Sequence, residues 1–383
     1  MPTSSVAIGQ YPVAALYPVA LMRSCDARHE PQTSAETRSA VANNAKRDLR
    51  ELKSLGFSAV AYSHALQDEF EILAETAREA GMHVMHEPRS FAHFTQDGRR
   101  APTMSAVELP VGQAVKGETG NTAHDHFILA RSDSEQSVRR ADRIRTAAVS
   151  RGENCCIALR DFPAPSLNGD NIPDRSASVL SKMESPPACV INFAAVTAIT
   201  QLTPHRNESP PMESTAIDVR TGLLSSFHDK VTAGLTGGLL LDGLFTLPGE
   251  PASLLSSHHR DRVATRAAVK ALLQRAEAWS SHISNARVRR LSRPEESQSI
   301  SELTWTLLES QGRSHLIVHN TALDSFQRMT PRLETIRALD RFDRAVEVNQ
   351  SSVRPGNVFM RNHTGWLLRL DLAPGDAALF ELF

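Results

Sequence analysis

An amphipathic helix closed by glycine, a short apolar run, then the same again: residues 34–86 repeat this unit, and the repeat constrains the fold more than any other feature of the chain. In "SAETRSAVANNAKRDLRELKSLG", Val41, Ala45, Leu49 and Leu52 share one helical face and Gly56 ends it. "FSAVAY" follows, with the length and continuous apolarity of a buried strand. Leu66, Phe70, Leu73 and Ala77 then recur at helical spacing, with Glu71, Glu75, Arg78 and Glu79 on the other side. Gly81 stops that helix and "MHVMHE" returns as a strand. Strands joined through helices run parallel, with the helices outside the sheet.

The pattern continues after a polar stretch near 92–124, expected to be a long surface loop. "HFILARSD", "NCCIALRDF", "ACVINFAAV" and "TGGLLLDGLF" read as strands. "SEQSVRRADRIRTAAVSRG", "GLLSSFHDKVTAGL" and "RVATRAAVKALLQRAEAWSSHI" read as helices. With "VALMRS" as the first, this gives seven clear strands and a weak candidate for an eighth, which predicts a TIM-type (β/α)8 barrel over 1–285. No G-x-G-x-x-G turn follows the first strand, which argues against a dinucleotide-binding sheet. The glycines of "TAGLTGG" lead into a strand and read as a turn.

From residue 286 the period becomes two. "LTWTLLES" sets Leu303, Trp305 and Leu307 against Thr304 and Thr306, "SQGR" turns, and "SHLIVHN" comes back. In "GWLLRLDLAPGDAALFELF", Trp366, Leu368, Leu370 and Leu372 share a face ahead of the "PGD" turn. Residues 286–383 are therefore expected to form a small antiparallel β-sandwich domain.

Of 383 residues, 42 are basic and 43 acidic, so charge offers no drive toward nucleic acid or an anionic membrane surface. The N-terminus lacks a basic segment and is broken by Pro12 and Pro18, and no run reaches the ~18–20 apolar residues of a membrane span. A soluble, cytoplasmic protein is the expectation. Cys25, Cys155, Cys156 and Cys189 show no metal spacing and are expected to be reduced, mostly buried thiols.

"LKSLGFSAVAY", "ILAETAREAGMHVMHEP", the helix and apolar strand of "FHDKVTAGLTGGLLLDGLF" and the ending "WLLRLDLAPGDAALFEL" together resemble glycoside hydrolases of the large retaining (β/α)8 superfamily, the β-galactosidase-like families among them. The resemblance implies a barrel with a C-terminal β-sandwich, an acid/base glutamate after the fourth strand and a nucleophile after the seventh. The fourth strand ends "ARSDSEQ", offering Asp133 and Glu135 where those families carry an Asn-Glu or Asp-Glu pair. If "ACVINFAAV" is the seventh strand, the nearest following carboxylate is Glu208.

Side chains at the C-terminal ends of barrel strands converge on one mouth. Glycosidic bond hydrolysis needs two carboxyl groups there, one protonated and one ionised. Glu135 or Asp133 is the expected acid/base, with Asp242 or Glu208 as the second carboxylate. His64, Glu87, Arg89, Asp161 and Tyr62 are the expected substrate-binding residues. Three Trp and three Tyr are few for a long polysaccharide cleft, so the expected ligand is a short glycoside. No cofactor or metal is expected. "AHDHF" carries an H-x-H spacing, but ahead of a later strand, and His83 and His86 fall on opposite faces of theirs. Two alternatives stay open: a barrel that has lost catalysis and binds a saccharide or a partner protein, and a metal-dependent sugar isomerase or hydrolase.

Overall fold

The computed structural model describes residues 11–18, 34–63, 67–86, 125–131, 135–150, 154–160, 180, 183, 185–193, 195–196, 219–244, 262–291, 302–334, 337–348, 357–362 and 365–383. Its first half is a closed barrel of seven parallel strands: β1 (Val13–Pro18), β2 (Ala59–Ser63), β3 (His83–His86), β4 (Asp125–Arg131), β5 (Asn154–Arg160), β6 (Ala188–Asn192) and β7 (Leu239–Asp242). Helices α1 (Ser34–Leu55), α2 (Gln67–Glu79), α3 (Glu135–Ser150), α4 (Val219–Thr232) and α5 (Arg262–Ile283) lie between or after them. The first strand is "VAALYP", just upstream of the "VALMRS" read from sequence.

The barrel is TIM-type, and among the described residues it closes at seven strands, because Val13, Ala14 and Ala15 of β1 pair directly with Leu239, Leu240 and Leu241 of β7. Fewer strands make a narrower barrel. The inward residues suit that: Ala14, Ala59, Ala61, Ala158 and Ala188 sit inside with Leu16, Met85, Phe127, Leu129, Val190 and Leu240. Closure also depends on Gly237 and Gly238. A Cβ on Gly237 would lie 2.2 Å from the Pro186 carbonyl oxygen, and one on Gly238 2.6 Å from the Pro12 ring. The bare backbone lets Gly237 N–H donate to Pro187 O (3.0 Å) and Leu239 N–H to Pro12 O (2.7 Å), which seats β7 between its two neighbours.

Outward residues of the strands pack on the helices, where Ala45, Leu49, Leu52, Leu73 and Ala77 are fully buried as the periodicity predicts. Arg266 of α5 pairs with Glu51 of α1, joining the last helix of the ring to the first. Beneath α1 the Tyr17 hydroxyl donates to Asp48 Oδ2 at 2.5 Å, and Arg47 Nε donates to Oδ1 at 2.9 Å. Tyr17→Phe would remove a hydrogen bond to a charged, buried acceptor and is expected to cost about 2 kcal/mol in urea unfolding. Cys189 is buried at the barrel wall beside Tyr11, and burial pushes its thiol up to about 11, so it is an inert core residue.

Beyond the barrel, β8 (Arg287–Arg290), β9 (Leu303–Ser310), β10 (Arg313–Asn320), β12 (Ala345–Glu347) and β15 (Ala377–Leu382) form an antiparallel sheet in the order β12-β15-β10-β9-β8. A second antiparallel sheet has the order β11-β14-β13, from β11 (Gln327–Glu334), β13 (Val358–Asn362) and β14 (Gly365–Leu372). Trp305, Leu316, Val318, Phe359, Trp366, Leu370 and Phe380 fill the space between the sheets. The other face of the five-stranded sheet is covered too: Leu308, Ile317, Ala377 and Leu379 join the cluster that contains Phe227, Val231, Leu272 and Trp279 of α4 and α5. Barrel helices, large sheet and small sheet thus stack as three layers. No described helix is long and apolar enough to cross a membrane.

Candidate functional site

Parallel strands bring their C-terminal ends to one rim. In order around the described barrel these ends are Pro18, Ser63, His86, Arg131, Arg160, Asn192 and Asp242. Arg131 lies in register with Arg160, and Asn192 with Asp242. Neighbouring strands are ~4.8 Å apart, so Asn192 and Asp242 stand side by side at the mouth. Both positions continue the inward set, after Val190 on β6 and Leu240 on β7. Asp242 is half-buried; its Oδ1 accepts from Gly243 N–H at 2.7 Å, and Gly243 turns the chain with φ of 77°. Exposed Asn192 accepts from Ala195 N–H at 3.0 Å through its side-chain oxygen. The mouth of the described barrel therefore sets a carboxylate next to an amide.

Of the residues singled out from sequence, Asp242 is the one whose side chain the structure places at this rim. It ends the seventh strand of the described barrel; "ACVIN" is the sixth, so the count that set it seventh is corrected by the closure. Glu135 is the first residue of α3, directly after β4. His64, Glu87, Arg89, Asp133, Asp161 and Glu208 lie outside the described residues.

Tyr62 does not line the mouth. It is 0% exposed and belongs to the layer between strands and helices, its ring edge-on to Tyr17 at 6.1 Å and its hydroxyl 3.5 Å from Leu73 O. On β2, Ala59 and Ala61 take the inward positions, so Val60 and Tyr62 point to the helices. Burial, with the Asp48 carboxylate nearby, raises its phenol well above the usual value, and it stays protonated.

Two histidine pairs that the sequence did not single out lie between the barrel helices and the five-stranded sheet. His228 of α4 is fully buried; its Nδ1–H donates to Gly375 O at 3.0 Å, and its ring lies 5.0 Å from Trp279 and 5.4 Å from His319. Burial, with Arg275 nearby, lowers its pKa to about 3. In the second pair, His282 Nδ1 is 3.0 Å from His315 Nε2, with Glu381 alongside. Burial lowers both imidazoles, His315 to about 4, so both are neutral at pH 7. The available signal is "SHLIVHN" itself: His315 and His319 share the period-two face of Ile317, the face that packs on α4 and α5.

No family model matches the chain, and no curated protein matches it in sequence. Solved structures do match in shape. An Anoxybacillus α-amylase, described as representing a new glycosyl hydrolase subclass, aligns with a TM-score of 0.52 at 11% identity, covering 98% of both chains. The γ-CGTase of alkalophilic Bacillus clarkii aligns at 0.48 and 10% identity over 97% of this chain and 71% of its own. A glycoside hydrolase family 30 xylanase from Clostridium acetobutylicum aligns at 0.39 and 12% identity over 97% and 95%. The structural neighbours are glycoside hydrolases, and the chain shares with the amylase the architecture of a parallel barrel followed by a β-sandwich.

Proposed function

We propose that this protein is a glycoside hydrolase-like barrel that takes a short saccharide at its C-terminal mouth, with Asp242 as the carboxylate that meets the reacting sugar. The observation that carries this reading is the position of Asp242, at the end of β7 and in register with Asn192. In a retaining reaction of the β-galactosidase-like type, a protonated Glu135 (or Asp133) gives its proton to the glycosidic oxygen as the ionised carboxylate attacks the anomeric carbon. Water then releases the sugar from that glycosyl ester, the first carboxylate now acting as base. Asp242 is the proposed nucleophile, with Glu208 as the other candidate. His64, Glu87, Arg89 and Asp161 would hold the hydroxyls. The proposed division at 285/286 leaves the β-sandwich as the support of α4 and α5, away from the chemistry.

A second reading rests on a specific observation: among the seven described strand ends, Asp242 is the one carboxylate. A single carboxylate among those strand ends suits a barrel that binds a saccharide without cleaving it. Aryl glycosides assayed for turnover, alongside calorimetry with the matching free sugars, separate the two. The panel starts with α-glucosides because an α-amylase aligns with this fold over 98% of both chains. Turnover supports the hydrolase; binding without turnover supports the second reading; neither binding nor turnover of any sugar overturns both.

A further inference from the structure

Far from the mouth, where the last turn of α5 meets β10 and β15, three potential metal ligands converge. We propose that His282, His315 and Glu381 form a site for a divalent zinc ion that staples the last barrel helix to the C-terminal sheet.

The geometry comes from two elements that the fold holds rigidly. His315 and Glu381 are cross-strand partners in the β10–β15 ladder, so both project from the same face of the sheet. His282 reaches down onto that face from the end of α5. One ligand atom from each residue lies within 4.8 Å of the other two, and the two imidazole nitrogens are 3.0 Å apart. Tetrahedral zinc with bonds of about 2.0–2.1 Å sets its ligand atoms about 3.3 Å from each other, so the histidines are nearly at bonding separation. A rotation of the Glu381 side chain brings in the third ligand.

The surroundings favour coordination. His315 is 1% exposed; its Nδ1 has no partner among the described residues, and its Nε2 faces His282 Nδ1. His282 and Glu381 are partly exposed, which leaves a route for the ion and room for a water as fourth ligand. Arg313 is the competing cation: its Nη1 stands 3.7 Å from Glu381 Oε1, but its side chain is 65% exposed and free to swing into water. Two imidazoles with one carboxylate select zinc over calcium or magnesium, which prefer all-oxygen shells. The site is independent of the mouth and of any activity there.

The test uses the full chain after chelation and dialysis. Zinc titrated against a chromophoric chelator is expected to load one ion per chain, and cobalt in its place to give the intense visible bands of a tetrahedral site. Zinc should also raise the melting temperature. His282→Gln and Glu381→Gln, both partly exposed positions, should melt like the wild type without metal, yet bind zinc about a hundredfold more weakly and lose the zinc-induced rise. Failure of the wild type to take up zinc, or uptake that both variants retain undiminished, would overturn the proposal.

Discussion

Replacing Trp279 with alanine is expected to cost about 3 to 5 kcal/mol of unfolding free energy, the range for deleting a large aromatic from a packed interior. Trp279 lies on α5 and is 1% exposed. Its ring meets Phe227 at 6.0 Å and His228 at 5.0 Å, and the Arg275 guanidinium covers it at 5.3 Å. Arg275 itself donates to Ala377 O at 2.9 Å and pairs with Asp376 at 3.0 Å, on the turn between β14 and β15. The loss would therefore fall on both layers: a cavity between α4 and α5, and an arginine without its platform against the sheet. Urea unfolding followed by fluorescence and by far-ultraviolet circular dichroism checks it. A loss below about 1 kcal/mol would show that α5 does not hold the layers together.

The second large effect is acid lability. An unfolded histidine takes its proton near pH 6.5, whereas His228 in the native protein resists it down to about 3. Its Nδ1–H is committed to Gly375 O, so a proton would add an unmatched buried charge at Nε2, which has no partner among the described residues. Arg275 opposes that charge further, while Asp229 faces the neighbouring His319 at 3.3 Å. The unfolded chain thus binds more protons between pH 6.5 and 3. The contribution of His228 is complete above 6.5 and falls as the pH drops, by about 3 kcal/mol at pH 4. His315 and His282, also lowered, act in the same direction. Unfolding free energies at pH 7 and pH 4 for the wild type and His228→Asn should show a smaller pH-dependent loss in the variant. Equal losses would place the acid sensitivity elsewhere.

The alternation of helix and strand was legible because each helix buries one stripe and ends on glycine: Leu49, Leu52 and Gly56, then Leu73, Ala77 and Gly81, stand where the pattern put them. The facing of the barrel strands was not. Parallel strands are buried on both sides, so "AVAYS" has no polar face to mark its interior, and Tyr62 went to the helices while alanines took the inside. Closure of the described barrel at seven strands was likewise hidden, since it rests on how near Pro186 comes to Gly237 and Pro12 to Gly238. The histidines of β10 carried no facing in the sequence, since "SHLIVHN" mixes His315 and His319 with Ile317 on one side. They are buried because α4 and α5 cover that side, a tertiary fact no local pattern carries. At the mouth, Asp242 was legible as a carboxylate interrupting an apolar strand, and its neighbour Asn192 emerged from the β6–β7 register.

The claim that Asp242 meets a sugar at the barrel mouth is tested most directly by comparing wild type and Asp242→Asn on the best aryl glycoside of the panel. The side chains are nearly isosteric, so folding is preserved while the negative charge is removed. The account predicts that turnover falls about a thousandfold or more, with the melting temperature unchanged. Turnover within a few-fold of wild type would contradict it.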